Sequence, residues 1–246
     1  MSLDVLARPS GALAMVAMDQ RESLRGMLAE HRGGGPVGDE ALTRFKLAVA
    51  GEVGRHASGF LIDRQFGFDA VIDERLLPVD CGLILAADSL SYRDGGRVSD
   101  TTIDPVVDPG EVKRRGAAAL KLLVIWRGDG QADRRVAMSA EFVRSCAAVG
   151  LVSILEGVAR PAPGEDSDRL QVEAARELGG LRPTLYKTHV PRAGTPHEVA
   201  RVCARLTEVL PVPWVVLSQG VSIVDFPAAV ELACRNGALE AQPVVL

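Results

Sequence analysis

Seven short apolar runs recur along the chain, separated by longer stretches whose apolar residues fall three and four positions apart. The runs are Ala12–Met18, Gly59–Ile62, Gly82–Ala87, Leu120–Trp126, Leu151–Leu155, Leu185–Val190 and Trp214–Leu217. Most are apolar at nearly every position rather than at alternate ones, which predicts parallel strands buried on both faces. Between them, Asp39–His56 carries Leu42, Phe45, Val49 and Val53 at helical spacing, and Asp129–Val149 carries Val136, Phe142, Val143 and Cys146. Pro196–Leu210 and Ser222–Cys234 repeat the pattern, each opened by a cap or a proline suited to a first turn.

Strand–helix alternation repeated about seven times predicts a parallel α/β architecture, either an open doubly-wound sheet or a closed barrel. No glycine-rich dinucleotide signature is present, and Gly33-Gly34-Gly35 follows a helical stretch rather than a strand. Polar residues close run after run: Asp19, Asp63, Asp88, Arg127, Glu156 and Ser218. Barrel enzymes build their sites at that end of the strands, so the pattern favours a (β/α)8 TIM barrel. Pro161–Asp168 reads as a polar loop after the fifth run, and nothing in the sequence marks a second domain.

The 246 residues include 28 Lys+Arg against 32 Asp+Glu, with pI about 5.6. A mildly acidic chain with 4% aromatic residues lacks the basic stripe of a nucleic-acid protein and the polybasic face of a membrane binder. Cys81, Cys146, Cys203 and Cys234 are widely spaced without a CxxC pair, so neither a zinc site nor a disulfide framework is expected. The apolar stretch Gly11–Met18 is too short to span a bilayer. These features predict a soluble cytoplasmic protein.

Only four lysines occur, Lys46, Lys113, Lys121 and Lys187, and two of them lie inside apolar runs. Lys121 sits in Leu120–Trp126 and Lys187 in Leu185–Val190. Desolvating an ammonium is costly, so one such lysine would ordinarily snorkel or pair with a carboxylate. Two, with Glu156 on the run between them and Asp19 ending the first, suggest Schiff-base chemistry. A free lysine is only about one part in a thousand neutral at pH 7.4. Burial beside a second ammonium would raise that fraction, and a carboxyl such as Glu156 could shuttle protons.

The segments carrying these residues resemble a known family. They are Ala17-Met18-Asp19-Gln20-Arg21-Glu22, LKLLVIWR at Leu120–Arg127, LVSILEGVARP at Leu151–Pro161, LYK at Leu185–Lys187 and PWVVLSQGV at Pro213–Val221. Together they are similar to the class I aldolases related to tagatose-1,6-bisphosphate aldolase, and most to the branch acting on 6-deoxy-6-sulfofructose 1-phosphate. The resemblance implies a metal-independent, cofactor-free lyase cleaving a ketose 1-phosphate to dihydroxyacetone phosphate and an aldehyde, here sulfolactaldehyde. It implies Lys187 as Schiff-base lysine, Lys121 as neighbouring cation, Glu156 as acid/base group and Asp19 as orienting carboxylate. Gln20, Arg127, Ser218 and Gly220 are the implied substrate-binding residues, and a sugar phosphate is the implied partner.

Two departures stand out. His189 follows Lys187 by two residues, on the same strand face, where the family carries a carboxylate. After about residue 237 the chain reads ALEAQPVVL, with no Gly-Arg turn of the kind expected on an eighth strand. The expectation is therefore one barrel domain, residues 1–246, truncated before or within its eighth unit, with exposed edges that favour homo-oligomers. A tagatose-1,6-bisphosphate-type aldolase, a deoxyribose-phosphate aldolase and a non-catalytic sugar-phosphate-binding barrel remain alternatives.

Overall fold

The computed structural model describes residues 2–93, 96–191, 195–218, 221–222 and 224–239. The strands are β1 (Met15–Met18), β2 (Gly59–Asp63), β3 (Gly82–Ala86), β4 (Asp88–Arg93), β5 (Arg97–Ile103), β6 (Ala119–Trp126), β7 (Val152–Ala159), β8 (Leu185–His189) and β9 (Trp214–Leu217). Seven of them form one sheet in the order β1-β2-β3-β6-β7-β8-β9, every neighbouring pair parallel. Each apolar run of the sequence contributes one of these strands. The helices are α1 (Glu22–His31), α2 (Asp39–Val53), α3 (Phe68–Asp73), α4 (Pro109–Arg114), α5 (Ala132–Val149), α6 (Ser167–Gly179), α7 (Pro196–Val209) and α8 (Phe226–Arg235).

Local chemistry sets the ends of these elements. Thr195 and Glu198 close a reciprocal capping box on α7, with Pro196 in its first turn. α5 starts at Ala132, three residues later than its apolar spacing suggests, because the Asp129 carboxylate accepts from the Gln131 amide and pairs with Arg135. α8 starts at Phe226 for a similar reason, since Ser222 and Asp225 bond each other ahead of it. Strand β7 runs four residues past Leu155 to Ala159, carrying Glu156 within the strand rather than at its end.

The two faces of the sheet have separate cores. Alternate residues such as Leu120, Leu122, Val124 and Trp126 of β6 pack outward with residues of α5, α6 and α7 in the larger core. The others, including Leu61, Ile84, Ala119, Ile154, Leu185 and Val215, join Leu6 and Leu13 in a smaller one. Residues from the first strand of the sheet to the last can meet in one small cluster only if the sheet curls around it. The result is a barrel-like cylinder with eight outer helices among the described residues, as the strand–helix alternation predicted. Gly82 makes room at the base, where a Cβ would lie 2.3 Å from the Val5 carbonyl oxygen.

At Leu239 the chain returns to the sheet. Its amide donates to the Trp214 carbonyl (2.8 Å) and its side chain packs on the inner core, at the place beside β9 where a further strand would begin. The expected loss of the eighth unit falls on residues 240–246, which lie outside the described residues.

The sequence reading did not anticipate strands β4 and β5. They pair antiparallel as a hairpin inserted between β3 and β6. Arg127 ties this hairpin to the end of β6 by donating to the Ser99 carbonyl, and Arg134 ties it to α5 through Asp100 (2.5 Å). It stands over the carboxyl ends of the strands.

Candidate active site

Strand periodicity turns Lys121, Leu123 and Ile125 of β6 inward, together with Glu156 and Val158 of β7 and Lys187 of β8. These side chains line a cavity of about 340 Å³ at the carboxyl end of the sheet. Asp19 and Gln20 after β1 complete one wall and Ser218 after β9 another, while Leu90, Tyr92, Arg97 and Val98 of the hairpin close it over. The register sets Glu156 directly beside Lys187, and Glu156 Oε2 lies 3.1 Å from Lys187 Nζ.

The two lysines differ in their surroundings. Lys121 is 1% exposed, and its ammonium reaches Asp19 (2.5 Å), Asp88 (2.8 Å) and Glu156 (3.8 Å). Burial alone would push it down, but these three carboxylates outweigh burial and raise its pKa well above the ordinary lysine value. It stays an ammonium at any physiological pH. Lys187 has Glu156 as its one ion-pair partner among the described residues, and its side chain keeps 13% exposure towards the cavity.

Asp19 follows the same logic with opposite sign. Burial raises its pKa, yet Lys121 and then Lys187 outweigh this and hold the carboxyl down at about 2. Its contact with Lys121 also reports the curvature of the sheet. β1 and β6 are three places apart in the strand order, roughly 14 Å in a flat sheet. The curvature of the sheet brings the Asp19 side chain after β1 and the Lys121 side chain of β6 to 2.5 Å from each other.

Asp88 is the residue the sequence reading undervalued. It was one of several polar residues closing an apolar run, and it emerges as a hub. Its carboxylate accepts from Lys121, from the Leu123 amide (3.1 Å) and from Arg21 (3.2 Å), whose guanidinium also donates to the Asp88 carbonyl (3.0 Å). Lys121, expected as a cation neighbouring Lys187 with Asp19 and Glu156 close by, is ringed by three carboxylates, Asp88 being the addition. Asp63, also at a strand end, lies outside the cavity and pairs with the buried Lys46.

Of the remaining expected site residues, Gln20 and Ser218 line the cavity. Arg127 does not; it lines an adjoining groove. Gly220 lies outside the described residues. His189 is buried, and its carbonyl accepts from Gln171 (2.6 Å). Among the described residues no cluster of His, Cys, Asp or Glu could hold a metal ion. No helix there is long and apolar enough to cross a membrane.

A sequence profile described as DeoC/LacD family aldolase matches residues 13–242. A tagatose 1,6-diphosphate aldolase of Staphylococcus epidermidis is 30% identical over 160 residues, 63% of this chain and 47% of that protein. A homologue with the same description from Staphylococcus haemolyticus is 29% identical over the same shares. The aligned part therefore spans about half the length of these curated relatives. Among solved structures, a fructose-bisphosphate aldolase from Slackia heliotrinireducens superposes with a TM-score of 0.70 at 16% identity, covering 98% of this chain and 77% of that one. A Schiff-base-forming fructose-1,6-bisphosphate aldolase gives 0.66 at 17% identity, covering 98% and 89%. At such identities these structures speak for the fold, and they agree with the barrel reading.

Proposed function

The chain belongs to the DeoC/LacD aldolase family, and from that premise we propose that it is a class I aldolase that forms a Schiff base through Lys187. The observation that carries this reading is the difference between the two lysines. Lys121 is held as an ammonium by three carboxylates, whereas Lys187 faces the cavity with Glu156, 3.1 Å away, as its one ion-pair partner among the described residues. A proton passed from Lys187 to Glu156 creates the neutral amine and a general acid in one move.

The amine then attacks the C2 carbonyl of a bound ketose 1-phosphate, and protonated Glu156 helps the carbinolamine hydroxyl leave as water. Glu156, a carboxylate again once water has left, takes the C4 hydroxyl proton as the C3–C4 bond breaks. The electron pair of that bond flows into the iminium to give an enamine, the aldehyde departs, and Glu156 holds the proton that C3 then receives. Protonation at C3 and hydrolysis release dihydroxyacetone phosphate and restore Lys187. Lys121 fixes Asp19 and Glu156 around the reacting carbons, and Gln20 and Ser218 line the substrate's path. The sequence of the β6 and β7 segments favours 6-deoxy-6-sulfofructose 1-phosphate as substrate, with sulfolactaldehyde as product. The Staphylococcus relative favours tagatose 1,6-bisphosphate as a second reading. Both share the dihydroxyacetone phosphate half and differ in the anion at the far end. We further place the protein in the cytoplasm as a single barrel domain that self-associates; its free cysteines, Cys81, Cys146 and Cys203 being buried, fit a reducing compartment.

Borohydride reduction in the presence of dihydroxyacetone phosphate, followed by peptide mass mapping, tests the reading. A stable adduct on Lys187, absent in Lys187→Met, is expected; an unmodified Lys187 in the wild-type protein would overturn it. A panel of sulfofructose phosphate, tagatose bisphosphate and deoxyribose phosphate then orders the substrates.

A further inference from the structure

A second concavity, about 710 Å³, adjoins the lysine cavity and shares Arg97, Val98 and Arg160 with it. It runs between the tip of the β4–β5 hairpin and the loops after β6 and β7, and four arginines line it: Arg93, Arg97, Arg127 and Arg160. Its two carboxylates are engaged elsewhere. Asp129 is held by both terminal nitrogens of Arg135 (2.6 and 2.7 Å), and Glu165 accepts from the Ala162 amide and from Arg169.

Arg93 and Arg97 stand directly opposite each other in the hairpin register, and both are exposed. Among the described residues neither has a carboxylate within ion-pair distance. Like charges facing each other across a strand pair are unfavourable, and an anion seated between them would remove the penalty. Forked guanidiniums are also the side chains best matched to phosphate and sulfonate oxygens.

The groove lies on one side of Lys187. Ser218, after β9, is on the other side, whereas Arg127 follows β6, two strand spacings or about 10 Å away. A ketose bound through C2 at Lys187 would send its short, one-carbon arm one way and its longer C3–C6 arm the other. Resting on the aldolase reading, we propose that the arginine groove binds the anionic group at the aldehyde end of the substrate, phosphate or sulfonate, and that Arg93 and Arg97 make the enzyme select a terminally charged aldehyde.

The test uses the full chain and an R93Q variant, condensing dihydroxyacetone phosphate with glyceraldehyde 3-phosphate, sulfolactaldehyde or uncharged glyceraldehyde; Arg93 lines the groove and not the lysine cavity. Losing charge-assisted contacts should lower kcat/KM for the charged aldehydes by about tenfold or more. The value for glyceraldehyde should stay within about twofold, by the same accounting of contacts not made. Borohydride trapping on Lys187 should be unchanged. The phosphate and sulfonate arms show which anion the groove takes. Equal losses on all three aldehydes, or no loss, would overturn the proposal. Should no aldehyde condense even with the wild-type protein, the aldolase reading fails separately. Calorimetric titration with 3-phosphoglycerate and sulfolactate then decides the groove: binding that the variant loses keeps it, and binding equal in both, or absent in both, overturns it.

Discussion

Two lysines on the strands that flank β7 have been given opposite tasks by their neighbours. Lys121 is the centre of a charge cluster, so removing it strands Asp19, Asp88 and Glu156 in a buried site. Lys121→Met should therefore cost about 3–5 kcal/mol, the usual penalty for deleting one partner of a buried ion pair, measured as a shift of the urea midpoint at constant slope. Asp19 provides a milder probe. Its carboxyl is lowered from an ordinary 3.8 to about 2, so it adds stability that is complete above pH 3.8 and disappears as pH falls through 2. The contribution is about 2 kcal/mol at neutral pH. Asp19→Asn should lose that amount at pH 7 and show a flatter decline in stability between pH 4 and pH 2 than the wild-type protein. Asp19, Lys121, Glu156, Lys187 and Ser218 were legible because each interrupts or ends an apolar run. Their partnerships were not: Asp88 meets Lys121 from 33 residues away, across strands whose curvature no local pattern records.

Elements carry a different share of the argument. On the outer face of β7, opposite Glu156, Gly157 leaves the room that the Tyr186 side chain of β8 occupies. A Cβ at that position would lie 2.1 Å from the Tyr186 hydroxyl. Gly157→Ala should destabilise the protein by about 1–3 kcal/mol through overpacking. Adding Tyr186→Phe, which deletes the clashing oxygen, should recover part of the loss; thermal unfolding of the two variants measures the coupling. Continuous apolar runs announced the parallel strands because burial on both faces leaves no polar alternation. The hairpin was hidden by that same criterion. Its sequence, DSLSYRDGGRVSDTTI from Asp88 to Ile103, alternates polar and apolar residues about a Gly-containing turn, the signature of a half-exposed antiparallel pair. A search for buried parallel strands passes over it. Yet this element roofs the cavity and brings Arg93 and Arg97 to the groove beside it.

At the scale of the whole molecule, the curled sheet distributes stability unevenly. β7 is buried along its whole length, and β6 and β8 nearly so, each paired on both sides. Among the described residues, β1 is only half-buried and pairs with β2 alone, and β9 pairs on its far side only through the Leu239 amide. Local opening costs least where buried apolar area and backbone pairing are both sparse. The reacting groups follow this gradient. Lys187 and Glu156 stand on β8 and β7, in the best-supported part of the sheet, while Asp19 and Ser218 follow the two weakly paired strands. Amide hydrogen exchange should accordingly show the slowest amides in β6, β7 and β8, opening only with global unfolding, and markedly faster exchange in β1 and β9. Reductive trapping of dihydroxyacetone phosphate on Lys187 should slow exchange around Asp19 and Ser218, because a covalent intermediate spanning the cavity links the two weak edges to the rigid centre. Uniform protection across all seven strands, or no change at the edges on trapping, would mean that the edges are held by something other than the site they flank.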